Sequence, residues 1–205
     1  MKEVVLISDG NTPLGKALAR NFYSTGMKIF ATLPKLPAEA NSKTEYLEWN
    51  RSSAVSAKNC LLHIKKTTPE AVHFYLLPPL LNHLKADISD HRAFEQLVDS
   101  ILKGSYYFAR EAADFLDSSQ RGSLSLIHTP AIKEMPVFSR LLSGALAEFY
   151  DILLEKWKDR FLIQAFELPI EAEDSAVEFI EKHKDQKSDK SWGKWLRFKK
   201  GLRLF

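Results

Sequence analysis

A run of four apolar residues, Val4-Val5-Leu6-Ile7, ends abruptly in the polar turn Ser8-Asp9-Gly10-Asn11-Thr12-Pro13, and this junction constrains the fold more than any other segment. A strand that is apolar at consecutive positions must be covered on both faces. Thr12 is placed to cap a helix and Pro13 to occupy its first position, where a missing N–H is tolerated. Leu14, Ala17, Leu18 and Phe22 then recur at helical spacing, and Gly26 closes the helix. Lys28 to Thr32 supplies a second strand. Strand, helix and strand in this order form half of a β–α–β arrangement, from which a parallel sheet follows.

The alternation continues along the chain. Tyr46 to Trp49 reads as a third strand, and Ala54, Val55, Ala57, Cys60, Leu61 and Ile64 mark a helix face. Ala71 to Leu77 is a fourth strand, stopped by Pro78-Pro79. One long helix is expected from about His91 to Asp117, a fifth strand over Ser123 to His128, and a second long helix over about Phe138 to Trp157. Phe161 to Phe166 is a sixth strand, and a helix around Ser175 to Lys184 follows, with Glu171, Glu173 and Asp174 as its N-terminal charges. This alternation predicts an α/β fold, a doubly wound parallel sheet in three layers with right-handed crossovers. No repeat or linker divides the chain, so residues 1–205 are expected to form one domain.

Composition narrows the function classes. The chain is 45% hydrophobic and 27% charged, the balance of a globular protein. Cys60 is the only cysteine, which excludes an intramolecular disulfide and a zinc-thiolate cluster. The six histidines show neither H-x-H nor H-E-x-x-H spacing, so no metal site is expected. The apolar start is too short for a signal peptide, and the longest apolar stretch, Ala71 to Leu81, cannot span a bilayer. A cytoplasmic protein without a membrane span is the expectation. Net charge is +3, yet the segment 187–205 alone carries +6 and leaves −3 for the rest. Trp192, Trp195, Phe198 and Phe205 interleave there with Lys190, Lys194, Arg197, Lys199, Lys200 and Arg203. Such a mixture can bind nucleic acid or an anionic surface. Trp195 to Phe198 and Leu202 to Phe205 also read as short strands around Lys200-Gly201, the use favoured here, so nucleic acid is not the expected partner.

Three segments carry a resemblance. Val4 to Arg20 resembles the opening of the short-chain dehydrogenase/reductase family, whose motif is T-G-x-x-x-G-I-G after the first strand. Ile101-Leu102-Lys103-Gly104-Ser105-Tyr106-Tyr107 is similar to that family's N-L-K-G helix segment, and Gly122 to Thr129 to its G-S-I-V-N-I-S-S strand. Element order and spacing agree over roughly Lys2 to Leu168. The resemblance implies a Rossmann-type sheet of about seven strands, closed by a C-terminal strand, and a site for NAD or NADP.

Residue by residue, the implied site is altered. Ser8 stands at the motif threonine, Asp9 at the first glycine, Pro13 at the second and Gly15 at the third. Gly10, Asn11, Leu14, Gly15 and Asn50 are the candidate cofactor-binding residues, with Asn50 at the position beside the adenine. Gly10 and Gly15 are also what any tight strand-to-helix connection needs. Asp9 would place a carboxylate where a pyrophosphate sits, as an internal charge at the helix N-terminus, and Pro13 removes one N–H. Leu33, at the end of the second strand, can neither accept from the ribose of NAD nor attract the extra phosphate of NADP; Lys35 is a nearby cation. These three departures, Asp9, Pro13 and Leu33, weaken the case for either cofactor.

The catalytic positions depart further. The family's Tyr-x-x-x-Lys pair falls on Arg140 and Gly144, its serine on Thr129 and its asparagine on Ile101. No tyrosine lies between Tyr107 and Tyr150, and Tyr150 and Lys156 are six apart, on different helix faces. Without that pair the lysine-tuned phenol that exchanges a proton during hydride transfer is missing. The expected function is a ligand- or partner-binding pseudoenzyme. The alternatives are an NAD(P)-dependent oxidoreductase with an atypical site, its proton donor Thr129 or another group, and an anion or nucleic-acid binder acting through segment 187–205. The resemblance further implies a homodimer through the helices near 91–117 and 138–157.

Overall fold

The computed structural model describes residues 3–38, 43–68, 70–78, 90–169, 173–184 and 192–198. Seven strands form one sheet: β1 (Val4–Ile7), β2 (Lys28–Leu33), β3 (Glu45–Glu48), β4 (Val72–Leu76), β5 (Gly122–His128), β6 (Leu162–Glu167) and β7 (Trp195–Arg197). Their order is β3-β2-β1-β4-β5-β6-β7, and every neighbouring pair is parallel. The order reverses between β1 and β4, which opens a crevice at the carboxyl ends of those strands.

Two helical layers cover the sheet. On one face α2 (Ala54–Thr67), α4 (Gly104–Ser119) and α5 (Val137–Trp157) pack over Leu6, Phe74, Leu124 and Leu126. On the other, α1 (Pro13–Ser24) and α6 (Glu173–Lys184) cover Val5, Ile7, Tyr75, Ile127 and Phe166. Neighbouring strand residues therefore enter opposite cores, as the uninterrupted apolar run in β1 requires.

Among the described residues the expected elements form, with local differences. The third strand begins one residue earlier and ends at Glu48, because Trp49 turns away, fully buried, into the core. The helix expected to run unbroken from His91 is three pieces: α3 (His91–Val98), a π-helical segment Asp99–Lys103, and α4. Within the π turn the Ser100 carbonyl accepts the Arg51 Nε–H at 2.8 Å. The expected charge pattern before α6 is met in part: the helix starts at Glu173, while Glu171 lies outside the described residues. The C-terminal strand is β7 on β6; the expected Leu202 to Phe205 strand lies outside the described residues. Among the described residues no helix is long and apolar enough to cross a membrane.

Candidate functional site

The turn after β1 is built from its own backbone. Ser8 ties the end of β1 to the residue after β4: its hydroxyl accepts the Leu77 N–H at 2.7 Å and donates to the Leu77 carbonyl at 3.3 Å. Asp9 then adopts φ +54°, a left-handed conformation uncommon outside glycine. It is stabilised by N–H donation to Thr32 Oγ1 at 3.2 Å, while Gly10 donates to the Thr32 carbonyl at 3.0 Å. Thr12 caps α1 as its sequence position predicts: Oγ1 accepts the Gly15 N–H at 3.0 Å and donates to the Asp9 carbonyl at the same distance.

Both glycines are required by close approach. A Cβ on Gly10 would lie 2.5 Å from that of Ala31, and one on Gly15 would lie 2.6 Å from the Asp9 carbonyl oxygen. Within the turn, the N–H groups of Asn11 and Leu14 have no acceptor among the described residues. They lie at the positive end of α1, where an anion is stabilised.

Asp9 does not supply that anion. Contrary to expectation, its carboxylate does not serve as an internal charge at the helix N-terminus but pairs with Arg51 Nη1, with Arg51 buried and the Asp9 side chain 12% exposed. The physical reason is the left-handed Asp9 backbone, together with a cation held rigidly from three other sides. Arg51 stacks over Trp49 with Cζ 4.6 Å from the ring, donates through Nε to Ser100, and reaches Ser105 Oγ through Nη2 at 3.5 Å. Burial raises the Asp9 carboxyl above the usual carboxylate range, against the lowering pull of Arg51. Tyr150 of α5 is fully buried in the same region, and burial pushes its phenol up as well.

Beside the turn lies an open groove of about 530 Å³ between α1 and the edge strands, lined among others by Asn11, Pro13, Lys16, Arg20, Lys43 and Tyr46. Leu33 is buried at the end of β2 and offers no hydrogen bond to a ribose. Asn50 is exposed; its Oδ1 accepts the Ser52 N–H at 3.0 Å, so half of its amide is used in a local turn. Lys35 is exposed.

At the far side of the crevice, Thr129 follows β5 half-buried, and its carbonyl oxygen lies 3.5 Å from the Ser143 hydroxyl. His128, one residue earlier, is buried; its Nε2 lies 3.1 Å from both the backbone oxygen and the hydroxyl of Ser143. Arg140 and Gly144 stand one turn apart on the exposed side of α5, whereas Ser139 and Ser143 are buried. Ile101, at the asparagine position, is buried against Leu142. Among the described residues no group of three or more His, Cys, Asp or Glu could hold a metal.

Three features of this site were not singled out in the sequence: Arg51, Ser143, and the Lys16, Arg20 and Lys43 lining. Arg51 follows Asn50 directly, but a buried loop arginine has the same sequence signature as a solvated one.

No protein-family model and no curated protein matches the chain. Solved structures do. Ligand-free aldohexose dehydrogenase from Thermoplasma acidophilum aligns with a TM-score of 0.80 at 14% identity, over 96% of this chain and 92% of that one. A variant of ElxO with NADPH bound gives 0.78 at 13% identity, over 96% and 97%. A Brucella ovis oxidoreductase of the short-chain dehydrogenase/reductase family, in complex with partially ordered NAD, gives 0.74 at 11%, over 97% and 100%. These likenesses establish architecture: the chain has the seven-stranded Rossmann-type α/β fold seen in short-chain dehydrogenase/reductase structures.

Proposed function

We propose that the chain binds a phosphorylated dinucleotide at the Ser8–Gly15 turn and lacks the family's tyrosine–lysine proton relay, acting as a ligand-binding pseudoenzyme. The observation that carries this reading is the diversion of the Asp9 carboxylate to Arg51, which leaves the Asn11 and Leu14 N–H groups at the start of α1 without an acceptor among the described residues. Pro13 forfeits one donor but occupies the first helical position, where it does not disturb α1. Leu33 disfavours a free ribose diol, and the Lys16, Arg20 and Lys43 groove favours an additional phosphate, so NADP is the better fit of the two dinucleotides. Arg140 and Gly144 supply neither a phenol nor an ammonium on α5.

Isothermal titration with NADP+ and NAD+ tests the binding half. NADP+ should bind more tightly than NAD+ and, at a hundredfold excess over Kd, raise Tm by about 5 °C or more. NADPH should persist unoxidised with a panel of aldehydes and ketones. Absence of binding by both dinucleotides defeats the reading, and steady NADPH oxidation with one carbonyl replaces it with the second reading below.

The second reading is an NAD(P)-dependent oxidoreductase with an atypical site. Its support is Thr129, whose hydroxyl stands at the carboxyl end of β5 without a partner among the described residues. A hydroxyl there can donate to a substrate carbonyl. Loss of turnover in Thr129→Val, with NADP+ affinity retained, would favour it.

The partner proposed is a second copy of the chain. Tyr106 of α4 and Leu141 and Ile152 of α5 are about half exposed, on the helices that the family resemblance assigns to a subunit interface. Light scattering at micromolar concentration should give twice the chain mass. The buried free thiol of Cys60 supports a reducing compartment such as the cytoplasm.

A further inference from the structure

We propose that Arg51 is a positioning residue for anion binding: it holds the Asp9 carboxylate away from the turn that would receive a phosphate. This rests on the dinucleotide reading above. Asp9 lies in the same turn as the unbonded N–H groups of Asn11 and Leu14, and its own backbone oxygen receives the Thr12 N–H and hydroxyl. A carboxylate freed from its partner here has two outlets: the positive end of α1, or water in the crevice. Either outlet puts a negative charge on the path of an incoming phosphate, at a range where repulsion is strong.

Arg51 closes both outlets because it is itself immobilised. Ser100 of the π segment takes Nε, Ser105 of α4 faces Nη2, and the Trp49 ring lies under the guanidinium. The Arg51 backbone is wedged as well: a Cβ on Gly104 would lie 2.9 Å from both its Cβ and its carbonyl oxygen. Nη1 is therefore presented to Asp9 at a fixed place, and the pair reaches the turn as a neutral unit. The charged and titratable groups facing Asp9 are Arg51 from the loop after β3 and, past Ser105, Tyr150 from α5.

The test is NADP+ titration of full-length variants at pH 7.5. Arg51→Met should bind NADP+ about tenfold or more weakly than wild type. Asp9→Asn with Arg51→Met should restore binding to within about threefold of wild type, which a merely structural role for Arg51 would not do. Should Arg51→Met fail to fold, Asp9→Asn alone decides. The proposal expects its NADP+ affinity to equal or exceed wild type, because no carboxylate is then left to repel the phosphate; clearly weaker binding overturns it. An Arg51→Met protein that binds like wild type, or a double variant that stays weak, also overturns it. Wild-type protein that binds no NADP+ defeats the dinucleotide reading and this role with it. Wild-type binding with an indifferent Arg51→Met defeats this role alone.

Discussion

The His128 ring and Ser143 join β5 to α5 at one point: Nε2 lies 3.1 Å from the Ser143 backbone oxygen and 3.1 Å from its hydroxyl. The backbone oxygen can only accept, so the ring carries its proton on Nε2. Nδ1 is then a bare acceptor, buried and without a partner among the described residues. Trp195 of β7 meets the ring edge-on at 5.7 Å, so protonation would place a cation in a largely apolar setting.

This arrangement gives a pH dependence of stability. Burial holds the His128 pKa below its ordinary value of 6.5, so in the affected range the unfolded chain binds more protons than the native one. The stabilising contribution is complete above 6.5 and is lost as pH falls below it. Urea unfolding at pH 7.5 and 5.0 should show wild type losing more stability than His128→Gln does. Equal losses in the two proteins would remove His128 from the account.

Two glycines separate close approach from open space. Gly15→Ala would press its Cβ to 2.6 Å from the Asp9 carbonyl and should destabilise by about 1–3 kcal/mol. Among the described residues Gly144→Ala meets nothing within 4 Å, and it replaces a glycine inside α5, so it should stabilise by about 0.5–1 kcal/mol. Chemical denaturation of both variants checks the pair, and a tolerated Gly15→Ala would mean that the start of α1 can shift.

The buried ion pair should be strongly non-additive. Removing only Arg51 takes the partner from the Asp9 carboxylate, which must then move to the start of α1 or to water, so Arg51→Met should be destabilising. Asp9→Asn with Arg51→Met removes both charges and should cost less than Arg51→Met alone. A double-mutant cycle in urea measures the coupling; simple additivity would place the two side chains out of contact in solution.

Cys60 should be nearly inert in the native state. Its thiol is buried, donates toward the Glu48 carbonyl at 3.3 Å, and is pushed up to about 11 by burial. Its reaction with a disulfide reagent at pH 8 should be about a hundredfold or more slower than that of the denatured chain. Fast native labelling would show that α2 opens from β3.

How much of this was legible in the sequence depends on how local the cause is. Thr12 and Pro13 announce the start of α1 because capping is decided within three residues, and the run Val4 to Ile7 announces a doubly covered strand because burial repeats at every position. The side chain of Asp9 was misplaced because its partner sits 42 residues away, after β3. Sequence spacing offers no way to join the two charges without the sheet order that brings β1 and the loop after β3 together. The same holds for Ser143, whose role depends on which face of α5 meets β5. The replacements at Arg140 and Gly144, by contrast, are a matter of side-chain chemistry and were visible at once.

The π segment Asp99–Lys103 acts as a phase shifter in the long helix it interrupts. One additional residue in a turn rotates everything that follows by about 100° relative to a regular α-helix. Before it, Leu97 and Val98 pack with Ile101 and Leu142; after it, Phe108, Ala109 and Ala112 enter the core over the sheet. Deleting a single residue there would restore the regular repeat and leave the two halves unable to satisfy both surfaces together. It would also fold the Ser100 carbonyl back into the helix, out of reach of Arg51, so an irregularity in one helix governs the electrostatics of a turn on another strand.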